Sequence, residues 1–157
     1  MLTRRLTAAD RAPSAKPIGI GYVERRRLTF NKVSEDGSGK CDAEVTGKKT
    51  DRVYGEIFEI ALTDKAALDE AEGLRRGYAE EHIEVITVAG KVRIKTYIAT
   101  KKEPVLRPYH WYKAITVAGA VEHGLPKDYV EWLRAFESIE DPNAGRRAKN
   151  EALLFAS

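Results

Sequence analysis

Hydrophobic residues recur at every second position up to about residue 100 and at every third or fourth position beyond it. The first pattern runs through Ile18, Ile20 and Tyr22, then Leu28 and Phe30, then Val53–Ile60, and then His82–Val88 and Val92–Ala99 on either side of Gly90. A period of two turns one side of a strand to a core, and a glycine between two such runs predicts a hairpin. The second pattern places Tyr112, Ile115 and Gly119 on one face within His110–His123, and Tyr129, Leu133 and Phe136 on one face of the helix that follows. Gly124 closes the first of these helices and Pro126 opens the second, each doing what its backbone allows. Strands followed by helices make an α+β chain.

Shorter signals fill in the order. Leu2 and Leu6 stand at i, i+4 and predict a short helix over Leu2–Ala9, and Pro13 and Pro17 bracket a loop. Glu35–Lys40 (EDGSGK) is a turn. Thr63 or Asp64 can cap a helix that runs to Glu72 and stops at Gly73, the expected left-handed terminator. Asp141–Pro142 breaks the last strong helical pattern. The remaining tail carries Arg146, Arg147 and Lys149, then Leu153, Leu154 and Phe155, and suits a loosely docked helix. The expected organisation is one domain over residues 1–140 with a C-terminal tail over 141–157. About six short strands interrupted by glycines suit a small β-barrel, a curled mixed sheet flanked by helices.

Several function classes can be set aside. Residues 1–32 hold eight bases against Asp10 and Glu24, while residues 53–90 hold Lys65, Arg75 and Arg76 against nine acids. Opposite segments of this kind neutralise each other in one fold. A nucleic-acid footprint instead needs its bases on one face, and the Arg25–Arg27 triplet has no aromatic ladder beside it. No run approaches the roughly 18 apolar residues of a membrane span, and Met1–Ala12 lacks the apolar stretch of a secretory signal, so the expectation is a cytoplasmic protein without nucleic-acid or membrane partners. Gly37-Ser38-Gly39-Lys40 lacks the leading glycine of a phosphate loop and has Cys41 at the hydroxyl position. His82, His110 and His123 are scattered, the lone Cys41 reads as a buried structural thiol, and no serine sits in a nucleophile elbow. Metal and cofactor are both expected to be none.

One carboxylate stands out. In Leu68-Asp69-Glu70-Ala71-Glu72-Gly73, Glu72 follows Leu68 by one helical turn and shares its face, while Glu70 points away. If Leu68 faces the core, Glu72 is carried inward at a helix C-terminus, a placement suited to proton exchange near neutral pH.

Taken in order, VYGEIFEI, LDEAEG, Gly77-Tyr78, KTYIAT and WYKAI…GAVEHGLPKDYVEWL resemble the γ-glutamylcyclotransferase-like family, and RAPSA, RRLTF and SEDGSGK agree with its bacterial members. The similarity runs from about Met1 to Phe136. The resemblance implies release of 5-oxoproline from a γ-glutamyl peptide or γ-glutamyl amine, with Glu72 as general acid/base. It also implies that the hydroxyls of Tyr78, Tyr97 and Tyr112 approach a small-molecule substrate, in a monomer or homodimer. The reaction needs little apparatus, because the substrate's own α-amine attacks its γ-carbonyl, and well-oriented intramolecular attack is worth roughly 7–11 kcal/mol. Family members begin with a strand and a Y-G-S-N-[LM] loop that this sequence does not contain. That leaves a second expectation, a catalytically silent binding or scaffold module of the same fold.

Overall fold

The computed structural model describes residues 1–155, in the order α1 (Thr3–Leu6), β1 (Lys16–Glu24), β2 (Arg26–Val33), β3 (Gly39–Val45), β4 (Arg52–Glu59), α2 (Leu62–Glu72), β5 (Tyr78–Thr87), β6 (Gly90–Ala99), α3 (His110–Glu122), α4 (Lys127–Arg134) and α5 (Ala144–Phe155). The α+β reading holds. The strands form two antiparallel sheets, one ordered β4-β1-β5-β6 and the other β2-β3.

Two local features explain why there are two sheets. Strands β1 and β5 pair only at Gly21↔Thr87 and Tyr22↔Ile86. A side chain at Gly21 would put its Cβ 2.5 Å from Val85 Cγ1 and 2.9 Å from the Ile86 carbonyl oxygen, so this close crossing requires glycine. Three residues past that crossing is Arg25, whose φ of 62° is left-handed and turns the chain out of the first sheet into the second. The small β-barrel with a mixed sheet expected from the sequence is therefore corrected. The ladders are antiparallel and the strands do not close into a ring. The sheets are instead linked where the Val33 amide donates to the Lys101 carbonyl at 2.9 Å and the Ala99 amide donates to Asp42 Oδ1 at 2.8 Å.

The helices supply much of the buried core. Leu68 of α2 packs with Leu6, Ala12 and Ala15, against Phe58, Ile60 and Tyr97. This helix starts one residue before the expected cap, with Ala61 in the N-cap position. Asp64 does something else: its Oδ2 accepts from the Ser14 amide and hydroxyl at 2.8 and 2.5 Å, pinning the proline-bracketed loop to the helix start. Gly73 ends the helix with φ 76°, as its position predicts. Helices α3 and α4 bury Trp111, Ile115 and Ala120, and Tyr129, Val130 and Leu133. Leu153 and Leu154 of α5 pack against Leu2, Tyr109, Trp111 and Ile115, and the buried Asp141 ahead of α5 accepts from Trp111 Nε1 at 2.8 Å. No helix among the described residues is long and apolar enough to cross a membrane.

Candidate active site

Between the first sheet, β3 and helix α3 lies a cavity of about 240 Å³. Glu72, Tyr78, Tyr97 and Tyr112 all line it, although they come from α2, β5, β6 and α3. Glu72 is the last residue of α2. Leu68, one turn earlier, is buried, whereas the side chain of Glu70 is 75% exposed, so the inward and outward faces fall as the spacing predicts. Arg11, from the loop before β1, donates to Glu72 Oε1 at 2.8 Å.

The three tyrosines differ in what their hydroxyls do. Tyr78 donates to the Cys41 carbonyl at 2.6 Å, while Tyr112 accepts from the Cys41 amide at 3.3 Å. One residue of β3 thus fixes one ring from β5 and one from α3. Burial pushes both hydroxyls well above the usual tyrosine range, so both stay protonated. Tyr97 donates to Asp69 Oδ1 at 2.6 Å, which ties its hydroxyl to α2 and to the Lys65–Asp69 ion pair. Burial, and then that hydrogen bond, push its hydroxyl up as well. Burial also pushes the Cys41 thiol up, which keeps it a thiol rather than a nucleophilic thiolate.

Four further chemically capable residues line or support the cavity. Arg11 is one. Glu56, 5% exposed at its side chain, accepts from the Gly19 amide through Oε1 and lies 3.7 Å from His123 Nδ1 through Oε2. His123, dismissed as scattered in the sequence, also reaches Glu122 Oε2 at 3.3 Å and Thr3 Oγ1 at 3.2 Å. A signal for Glu56 was present: the alternation in VYGEIFEI puts it on the same side as Tyr54 and Phe58. Arg5 is the fourth. Its Nη1 donates to Asn150 Oδ1 at 3.3 Å and its guanidinium lies 5.8 and 5.9 Å from the ring centres of Trp111 and Tyr112. Desolvation pulls the Arg5 guanidinium below its ordinary value. Tyr129 lines the cavity as well, and its buried hydroxyl has no hydrogen-bond partner among the described residues.

Residues 52–133, which contain Glu72 and the three tyrosines, match the AIG2-like family. The chain is 32% identical over 146 residues to the mouse (Mus musculus) γ-glutamylcyclotransferase, covering 89% of this chain and 76% of that protein. It is 32% identical over 143 residues to the human (Homo sapiens) γ-glutamylcyclotransferase, covering 87% and 74%. A solved structure of a γ-glutamyl cyclotransferase superposes with a TM-score of 0.84 at 25% identity, over 99% of this chain and 93% of that one. The family match and the length of the aligned relatives place the chain in the γ-glutamylcyclotransferase-like family of enzymes.

Proposed function

We propose that this protein releases 5-oxoproline from a γ-glutamyl peptide or γ-glutamyl amine, with Glu72 moving the proton. The observation that carries the reading is the meeting of Glu72 with the hydroxyl-bearing rings of Tyr78 and Tyr112 in one small cavity. In the reaction, the substrate's α-ammonium loses a proton to Glu72 and the free amine attacks the γ-carbonyl carbon. The new C–N bond closes a five-membered ring, the old amide C–N bond breaks as Glu72 returns the proton to the departing nitrogen, and the ring nitrogen's second proton then passes by way of Glu72 to the released amine, leaving a neutral lactam and an ammonium product. One carboxylate therefore serves as base and then as acid. Arg11 holds Oε1 and orients the group, so the reaction uses the other oxygen.

Tyr78 and Tyr112 bind the γ-glutamyl part from opposite sides of Cys41, and Tyr97 shapes the wall beside them with its ring. The cavity's 240 Å³ suits a γ-glutamyl unit with a modest leaving group. The test is release of 5-oxoproline from a panel of γ-glutamyl peptides and amines, by the natural chain and by Glu72→Gln. A second reading, a silent binding module of the same fold, draws on the Arg11–Glu72 ion pair, since a carboxylate kept for structure also takes a cationic partner. Substrate binding without turnover in the natural chain would favour it.

A further inference from the structure

Three lysines stand in a row across the second sheet. Lys32 of β2 pairs through its backbone with Lys40 of β3 on one side and with Lys102 on the other. Two of the three have carboxylates, Asp36 for Lys40 at 2.7 Å and Asp42 for Lys102 at 2.6 Å. Lys32 is the exception: it is only 7% exposed, and no carboxylate among the described residues forms an ion pair with it. A buried lysine ordinarily takes a charged partner, because an unpaired ammonium out of water is costly. This ammonium instead lies over the face of Tyr78, 4.6 Å from the ring centre. Burial pulls it below its ordinary value, with Glu35, Glu72 and Asp36 offsetting part of that pull and Arg76 adding to it.

The chain beside the contact is shaped to admit it. Gly77 has a φ of 126°, and a Cβ there would lie 2.9 Å from Lys32 Cε and 3.3 Å from Nζ, so the glycine leaves the room through which Lys32 reaches the ring. The backbone of Tyr78 is held on both sides. The Arg75 amide donates to the Tyr78 carbonyl at 2.8 Å, and the Thr100 amide donates to the Gly77 carbonyl at 3.0 Å. The hydroxyl is held by the Cys41 carbonyl. Lys32 adds a hold on the face of the ring.

We propose that Lys32 is a positioning residue for the reaction: its ammonium, seated on the Tyr78 ring, fixes the ring in the orientation that receives the γ-glutamyl ligand. Lys32 does not line the cavity, so it acts through Tyr78 and not on the ligand. The role rests on the cyclotransferase reading, which gives Tyr78 its part in binding. It also separates Lys32 from its neighbours Lys40 and Lys102, whose charges are met by Asp36 and Asp42.

The test follows isotope-labelled tyrosine rings by NMR, with the Tyr78 signal assigned by its loss in Tyr78→Phe. The ring signal and the binding of 5-oxoproline are measured by titration of the natural chain, Lys32→Met and Lys32→Arg. Lys32→Met keeps the length of the side chain and removes the charge. It is expected to move the Tyr78 ring signal and to weaken 5-oxoproline by about 3- to 30-fold, the range for a desolvated cation–π contact. Its thermal unfolding should stay where it was or rise, because the variant no longer buries an unpaired charge. Lys32→Arg can also stack on the ring, and should hold the ring signal near its natural place and lose less than about threefold in affinity. A lysine serving the fold alone would lower the unfolding temperature and leave the affinity unchanged, which overturns the proposal. Equal losses in Lys32→Met and Lys32→Arg, a Lys32→Met chain that does not fold, or a natural chain that does not bind 5-oxoproline overturn it too. Measuring 5-oxoproline release in parallel separates the two ideas. Release with an affinity indifferent to Lys32 sinks the Lys32 role alone, while a charge-dependent affinity without release sinks the catalytic reading and leaves the hold on Tyr78 in place.

Discussion

Arg11 donates a 2.8 Å hydrogen bond to Glu72 Oε1, and the two side chains are only 16% and 18% exposed. A pair this sheltered from water keeps much of its attraction, and removing one partner leaves the other charge poorly compensated. In the proposed reaction Arg11 sets the orientation of the carboxylate without touching the reacting atoms. Arg11→Gln is expected to lower kcat by about 10- to 100-fold, as misplacement of a positioned group does, with a smaller change in KM. Steady-state kinetics on a γ-glutamyl substrate checks this. Unchanged kcat would mean that the pair serves stability alone.

The tyrosines should separate by where their hydroxyls point. Tyr78→Phe leaves the Cys41 carbonyl without its 2.6 Å donor and is expected to cost about 1–2 kcal/mol of stability and to raise KM. Tyr97→Phe removes a bond to Asp69, which still has Lys65, and should change KM less than twofold. Urea unfolding and substrate titration of the two variants side by side would show the difference. Equal effects would contradict the division of roles.

Asp36 gives the fold an acid limit. Burial pushes its carboxyl up, but hydrogen bonds from Lys40 and Ser38 outweigh burial and hold it at about 2. Its value in the unfolded chain is higher, near the ordinary 3.8, so its contribution is complete above about pH 4 and disappears as pH falls towards 2. Burial also pulls the Lys40 ammonium down, so the net gain of the pair is no more than about 2 kcal/mol. Asp36→Asn should lower stability at pH 7 and flatten its fall between pH 4 and 2. Thermal unfolding across that range reads both effects.

Gly39, the first residue of β3, passes so close to β2 that an added Cβ would lie 1.9 Å from the Phe30 carbonyl oxygen. Backbone cannot give way by that much, and Gly39→Ala is expected to cost about 3 kcal/mol or more. Gly55→Ala, whose Cβ meets nothing within 4 Å, should stay within about 0.5 kcal/mol. Denaturant midpoints for the two variants test the contrast.

The end of α2 was readable in the sequence because all its determinants are local. Leu68 and Glu72 lie one turn apart and Gly73 stops the helix, so the inward carboxylate follows from spacing. The hairpin about Gly90 was readable for the same reason. Strand β3 was not, because its inward residue is a charged one: Asp42 is 2% exposed, which inverts the usual pattern. Closure of the sheet failed as an expectation because it hinged on a two-residue crossing at Gly21 and a left-handed Arg25, neither of which shows in an alternation of apolar residues. Arg11 and Glu72 are 61 positions apart, Arg5 and Asn150 are 145 apart, and Thr3 and His123 are 120 apart, so only the folded chain brings these groups together.

The most direct trial of the catalytic account is 5-oxoproline release by purified Glu72→Gln beside the natural chain, with thermal unfolding measured on both. The account predicts release by the natural chain, a fall of at least about 10³-fold in the variant, and a melting temperature that stays within a few degrees. Release by Glu72→Gln at a rate near that of the natural chain would contradict it, and the proton would then have to be moved by another group.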